Sequence, residues 1–139
     1  MTYITIRPIT DAAGCTAVEQ LQIDAWQMDD NLEVMPGHLL LTFHKNGGVL
    51  LGAYAGARLV GFVAGFVGLM GDGRFKHASH MMGIHPEFQG QGIGTRLKLA
   101  QRQAVQQQGL DLITWTYDPL ETANARLNIR KLGAVCRTY

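Results

Sequence analysis

The sequence has 139 residues, of which 47% are apolar and 17% charged, and its formal net charge is +1. This size and composition exclude a disordered chain and predict one domain over residues 1–139 with its own buried core. The 12 basic residues are scattered among 11 acidic ones, so we expect no nucleic acid as a partner.

Cysteine placement and hydropathy indicate the compartment. Cys15 and Cys136 lie far apart, outside any Cys/His cluster, so we expect a reducing environment, no disulfide framework and no metal. The N-terminal stretch reaches Arg7 before an apolar signal segment could form. The apolar stretch Leu59–Met70 is shorter than the roughly 20 residues that a membrane helix needs. These features predict a cytoplasmic protein that does not associate with membranes.

The first part of the chain predicts a strand, two helices and an antiparallel meander. Residues Tyr3–Arg7 alternate as a strand does, and Thr10-Asp11 is a candidate N-cap for a helix that runs to about Met28. Cys15, Val18, Leu21 and Ala25 would form the buried face of this helix. The segments that follow are a short helix and three strands, at Leu39–Lys45, Val49–Ala55, Arg58–Leu69 and Lys76–Ile84.

After Pro86 the pattern changes to glycine-rich loop, helix, strand and helix. The helix begins near Ile93 and should end at Gly109, and a strand follows at Leu110–Tyr117. Asp118 is a candidate N-cap for a last helix that runs to about Leu132. Ala134–Tyr139 begins another strand, where the sequence ends. We expect a final strand that is missing or truncated, or a sheet edge completed by another chain in a homodimer.

The glycine-rich loop, Gln89–Gly94, is the segment most suited to bind a ligand. It lies between a strand and a helix start, where free backbone N–H groups and the positive end of the helix attract an anion. Its glycines remove Cβ atoms that would hold a phosphate away from the backbone. Their spacing fits neither the dinucleotide-binding pattern GxGxxG nor a nucleoside triphosphate loop, which ends in Gly-Lys-Ser/Thr.

This loop resembles the signature Q/R-x-x-G-x-G/A of the GNAT superfamily of acyl-CoA-dependent N-acyltransferases. The preceding segment Met82–Phe88 is similar to the family's strand and turn, and Leu127–Ala134 resembles its last-helix motif. The resemblance implies an α/β (α+β) fold with a mixed, mostly antiparallel sheet and helices on both faces. Strands four and five of that fold splay apart in a V-shaped wedge.

By this resemblance, the cofactor is acetyl-CoA or another acyl-CoA. The main chain of Met82, Gly83 and Ile84 would pair with pantetheine, and an N–H near Ile84 would polarise the thioester carbonyl. Asn124, on the last helix, could also contact the coenzyme. The backbone amides that would bind the pyrophosphate belong to Gln89, Gly90, Gln91, Gly92, Ile93, Gly94 and Thr95.

Direct attack on the thioester requires a neutral amine and therefore a base, for which His80 is the candidate. Family members place Glu or His at positions 78 or 80, and position 78 is Ala78. Imidazole exchanges protons near neutral pH, which suits a base. Strand alternation places His80 on the same side as Ala78 and Met82, with His77 on the other side. A strand histidine that only bonds to its neighbours is the alternative interpretation.

The sequence departs from the family at the residue that protonates the departing thiolate. The family's tyrosine maps to Ile129, so Tyr117, Asn128 or water would serve, or the thiolate would leave unprotonated. The resemblance thus implies transfer of an acetyl or other short acyl group, such as succinyl, to the primary amine of a small molecule. The alternatives are an acyl-CoA-binding module without catalysis and a peptide or protein N-acyltransferase.

Overall fold

The computed structural model describes residues 3–26 and 34–115. Five strands and three α-helices lie in these two segments, with a 3-10 turn at Pro86–Phe88. Their bounds in chain order are β1 (Ile4–Pro8), α1 (Ala12–Trp26), α2 (Gly37–Lys45), β2 (Val49–Ala55), β3 (Arg58–Leu69), β4 (Phe75–Ile84), α3 (Ile93–Gln107) and β5 (Ile113–Trp115).

The strands form one mixed sheet in the order β1-β2-β3-β4-β5. Each of the first four is antiparallel to its neighbour, whereas β5 runs parallel to β4. The parallel pairing covers His77, Ala78 and Ser79 of β4 only. A parallel connection needs a crossover, which α3 provides.

Helices cover both faces of the sheet. Helix α3 packs on one face, where Ile93, Leu97 and Val105 join buried residues of β1, β2 and β3. Helices α1 and α2 pack on the other face, where Cys15, Val18, Leu21 and Leu40 meet Leu50, Phe62 and Ala64. This architecture confirms the predicted mixed, mostly antiparallel α+β fold with helices on both faces.

Local sequence features explain where several elements begin and end. The Asp11 carboxylate accepts a hydrogen bond from the Gly14 backbone N–H at 2.8 Å, which confirms the predicted N-cap of α1. Gly109 has φ +84°, as a residue that follows a helix end often does. Pro8 lies within β1, which a sheet edge tolerates because its missing N–H has no partner to satisfy.

Two details differ from the sequence predictions. Gln22, rather than Ala25, completes the buried face of α1, because its side-chain amide bonds the backbone of Met35 through both Nε2 and Oε1. Strand β5 begins at Ile113 rather than Leu110, which instead packs against the core cluster of α3. The predicted last helix and final strand lie outside the described residues.

Candidate functional site

An open edge of β4 is the first feature of the site. Beyond Ser79, β4 continues to Ile84, and its residues Met81–Ile84 pair with β3 on one side. Within the described segments nothing pairs with this part of β4 on the other side. The His85 N–H donates to the Val60 carbonyl on β3 at 2.8 Å. Because bonding directions alternate along a strand, the N–H groups of Met82 and Ile84 point away from β3. They face the gap where β4 and β5 part, as expected for a strand that an extended ligand would join.

A β-bulge at His80 marks the point where the two strands part. On β3, Ala64 pairs with Met81 and Gly65 pairs with Ser79, so His80 is the extra residue. Its side chain is exposed, and its ring centroid lies 6.1 Å from that of Phe66 on the α2 side of the sheet. A bulge at this position redirects the side chains that follow it.

The bulge corrects one prediction about His80. Strict alternation placed Met82 on the same side as His80, but Met82 packs against the cluster of α3 on the opposite face. Met81 takes the α1 side instead. The prediction that His77 faces away from His80 is confirmed, because His77 is fully buried against α3. His80 therefore lies next to the strand opening, on the face that α1 and α2 cover.

The glycine-rich loop forms the second part of the site, directly after the open edge. Gly90 and Gly92 have φ of +79° and +78°, a conformation that favours glycine. Gly92 is the N-cap of α3 and contributes no side-chain hydrogen bond. A Cβ built on either glycine would meet no atom within 4 Å. The first turn of α3 thus presents uncapped backbone N–H groups to open space.

Side chains fix the turn that joins the open edge to this loop. His85 Nδ1 accepts a hydrogen bond from the Glu87 backbone N–H at 3.1 Å. Arg58 forms an ion pair with Glu87 at 3.4 Å, and its guanidinium lies 5.5 Å from the ring centroid of Phe88. The Gln89 side-chain amide donates to the Ile84 carbonyl at 3.2 Å. These contacts hold the loop in register with β4.

A buried polar cluster between α3 and the sheet is the third feature, and the sequence analysis did not identify it. Lys98 Nζ lies 3.2 Å from Ser79 Oγ, and Gln101 Nε2 donates to the same oxygen at 2.9 Å. Gln101 Nε2 also lies 3.1 Å from His77 Nε2. Trp115 on β5 places its ring centroid 5.1 Å from Lys98 Nζ. The pattern that could have revealed it is polar residues two apart on the strand and three apart on the buried side of the helix.

Burial controls the protonation of this cluster. An amide nitrogen only donates, so His77 Nε2 accepts and Nδ1 carries the proton. Among the described residues, no hydrogen-bond partner reaches His77 Nδ1. Desolvation, with a smaller effect of the Lys98 charge, lowers the pKa of His77 to about 4. Desolvation also lowers the pKa of Lys98 to about 8. The cluster therefore contains two titratable side chains, His77 and Lys98, whose pKa values burial holds below their ordinary ones.

The predicted site residues divide into two groups. The structure brings together the open edge, the bulge histidine and the glycine-rich loop, which are Met82, Gly83, Ile84, His80 and Gln89–Thr95. Tyr117, Asn124, Asn128 and the position of Ile129 lie outside the described residues. Within the two described segments, no helix is long and apolar enough to cross a membrane, and no group of three or more potential metal ligands occurs.

Comparison with known proteins assigns the family. The family described as Acetyltransferase (GNAT) family matches residues 13–133. The chain therefore belongs to the GNAT acetyltransferase family. No curated protein sequence matches it.

Solved structures agree in fold at low sequence identity. One is an aminoglycoside acetyltransferase, meta-AAC0020, from an uncultured soil metagenomic sample in complex with sisomicin, with TM-score 0.82, 17% identity and coverage of 99% of this chain and 93% of that one. The aminoglycoside N-acetyltransferase AAC(6')-Iy in complex with CoA gives TM-score 0.78 and 15% identity, covering 100% and 91%. A ribosomal-protein-alanine N-acetyltransferase from Brucella melitensis biovar Abortus 2308 gives 0.73 and 16%, covering 99% and 95%. These TM-scores establish the fold, and the names of those proteins include both small-molecule and protein acceptors.

Proposed function

We propose that this protein transfers an acetyl or other short acyl group from coenzyme A to the primary amine of a small molecule. The open edge of β4, leading directly into the uncapped N-terminus of α3, carries this proposal. An extended arm with amides along its length can pair with the edge, and a pyrophosphate can accept from the helix N–H groups. Pantetheine diphosphate has both parts in this order.

The coenzyme would therefore be held mainly by backbone groups. Met82 and Ile84 would pair with the pantetheine amides, and a free N–H of this edge would polarise the thioester carbonyl. Residues Gln89–Thr95 would surround the pyrophosphate. The complex of AAC(6')-Iy with CoA supports acyl-CoA as the co-substrate in this family. Asn124 is proposed as a further contact.

The amine would attack the thioester directly in a ternary complex. His80 would remove its proton, directly or through water, because the bulge places this exposed imidazole next to the strand opening. Held amine and thioester react without a covalent enzyme intermediate. Tyr117, Asn128 or water are the proposed partners of the departing thiolate.

The acceptor would approach from the face that α1 and α2 cover, where His80 and Phe66 lie. An aminoglycoside complex among the similar structures supports a small-molecule amine. We propose a cytoplasmic enzyme of one domain. A second copy of the chain that completes the sheet edge would make it a homodimer. The isoleucine at position 129 favours one second candidate, a module that binds acyl-CoA without turnover.

The test is thiol release from acetyl-CoA and succinyl-CoA in the presence of amino acids, polyamines and aminoglycosides. Thiol release that depends on one acceptor class supports the enzyme and identifies its substrate. Absence of release over the whole panel, while coenzyme A still raises the melting temperature, supports the binding module. If the protein shows no thiol release and no shift of its melting temperature, both proposed functions are contradicted.

A further inference from the structure

The buried polar cluster at the point where β4 and β5 part has hydrogen-bond donors left over. Ser79 Oγ receives hydrogen bonds from Lys98 Nζ and Gln101 Nε2, which fill both acceptor positions of a hydroxyl. The Ser79 proton must then be donated elsewhere. Among the described residues, no acceptor takes it. His77 Nδ1–H is likewise without a described partner.

The cluster also holds a buried positive charge. Lys98 is only 8% exposed, and neither of the two ion pairs among the described residues includes it. The centroid of the Trp115 ring lies 5.1 Å from Lys98 Nζ. An aromatic ring stabilises an ammonium less than a carboxylate would. An uncompensated ammonium in the protein interior is costly. Leftover donors and a cation together are suited to an anion that forms at this position.

Ser79 lies where such an anion would form. It is paired with Trp115 in the last β4–β5 pair, directly before the bulge at His80. A pantetheine arm that pairs with Ile84 and Met82 runs along β4 towards this point. Its sulfur would arrive beside Ser79 on the α3 side of the sheet, opposite the face of His80. This placement rests on the proposed function.

We propose that Ser79, with Lys98 behind it, protonates the departing coenzyme A thiolate in place of Tyr117, Asn128 or water. When the tetrahedral intermediate collapses, the C–S bond breaks and its electron pair stays on sulfur. Ser79 gives its hydroxyl proton to sulfur, and Lys98 gives an ammonium proton to the Ser79 oxygen. The products are the amide and the free thiol, and solvent reprotonates Lys98. Ser79 is the catalytic residue in this step, and Lys98 and Gln101 position and polarise it.

The acid–base balance of the pair is compatible with this transfer. Burial lowers the pKa of Lys98 to about 8, close to the ordinary thiol value of about 8.5. His77 stays neutral at that pH and adds no competing charge. Proton transfer from Lys98 through Ser79 to sulfur is then nearly balanced in free energy, as efficient general acid catalysis requires.

The test compares the binding of coenzyme A with that of desulfo-coenzyme A, which lacks the sulfur. Calorimetric titrations from about pH 6 to about pH 9 measure how the preference for the thiol changes. In the wild-type protein this preference should grow about threefold between about pH 6 and about pH 8, because the Lys98 ammonium lowers the pKa of the bound thiol. Above about pH 8 the preference should fall again, because Lys98 then loses its proton. Ser79→Ala and Lys98→Met should make the preference flat or falling while desulfo-coenzyme A binds unchanged.

Lys76→Met is the matched control, because this lysine lies on the same strand and packs against Gly68 on the opposite face. It should keep the wild-type pH dependence. A wild-type preference that does not change with pH, or one that both cluster variants retain, overturns the proposal while coenzyme binding stands. Failure of both compounds to bind overturns the proposed function and this inference with it.

Discussion

Gly92→Asp tests the proposal that the loop Gln89–Thr95 binds the coenzyme A pyrophosphate. Gly92 has φ +78°, and a Cβ there would meet nothing within 4 Å, so the folding cost is backbone strain of about 1–2 kcal/mol. The effect on binding is electrostatic. A carboxylate about 5 Å from a phosphate charge is repelled by about 1 kcal/mol in water and by about 3 kcal/mol at an effective dielectric constant near 20. Repulsion between the new carboxylate and the two phosphates should then weaken coenzyme A binding by at least about 30-fold.

Gly73→Asp is the matched control for this change. Gly73 has φ +88°, equally open space around it, and a position in the β3–β4 turn at the other end of the sheet. It should lose similar stability in denaturant unfolding and keep full affinity for coenzyme A in calorimetry. Wild-type affinity in Gly92→Asp, or an equal loss in Gly73→Asp, would refute the assignment.

Three further predictions concern the bulge and the buried cluster. His80→Ala should lower turnover about 100-fold without changing coenzyme affinity, and unchanged turnover would exclude His80 as the base. The pKa of His77 is lowered to about 4 in the folded state, so the unfolded chain binds its proton first as the pH falls from about 6.5. The free energy of unfolding should therefore decrease by up to about 3 kcal/mol between pH 6.5 and 4, and denaturant unfolding of His77→Asn should not show this decrease. An equal dependence of the unfolding free energy on pH in the two proteins would contradict the effect of burial on His77. Gly65→Ala should destabilise the fold by at least about 2 kcal/mol, because the new Cβ would overlap His77 Nε2. Gly71→Ala is the control, because a Cβ there has open space and should change stability little. Equal melting temperatures of the two variants would argue against the packing of His77.

Features determined by local sequence could be predicted. The glycine-rich loop follows from the spacing of Gly90, Gly92 and Gly94, and positive φ at the first two is a property of the local chain. The helix end at Gly109 and the N-cap at Asp11 have the same local origin. The bounds of β2 and β3 also match, because each strand is an apolar run, preceded in β3 by Arg58, that ends at a turn.

Features determined by contacts distant in sequence could not be predicted. The bulge at His80 accompanies a shift in the register between β3 and β4, which occurs between Ala64 and Gly65. No pattern within β4 itself reveals this shift of register. Strict alternation therefore predicts the wrong face for Met82. The buried cluster depends on how α3 docks against the sheet, which brings Lys98 to Ser79 across 19 residues of sequence. A lysine beside Leu97 looks like a solvated helix residue until that packing is known.

Under the proposed function, this chain transfers an acyl group directly from coenzyme A to an amine. The most direct test is mass spectrometry of the acceptor and of the protein after incubation with isotopically labelled acetyl-CoA and the acceptor identified by thiol release. Direct transfer predicts one labelled acetyl group in amide linkage on the acceptor for each thiol released, and no label on the protein. Thiol release without acylated amine, or label retained on the protein as an intermediate, would contradict direct transfer.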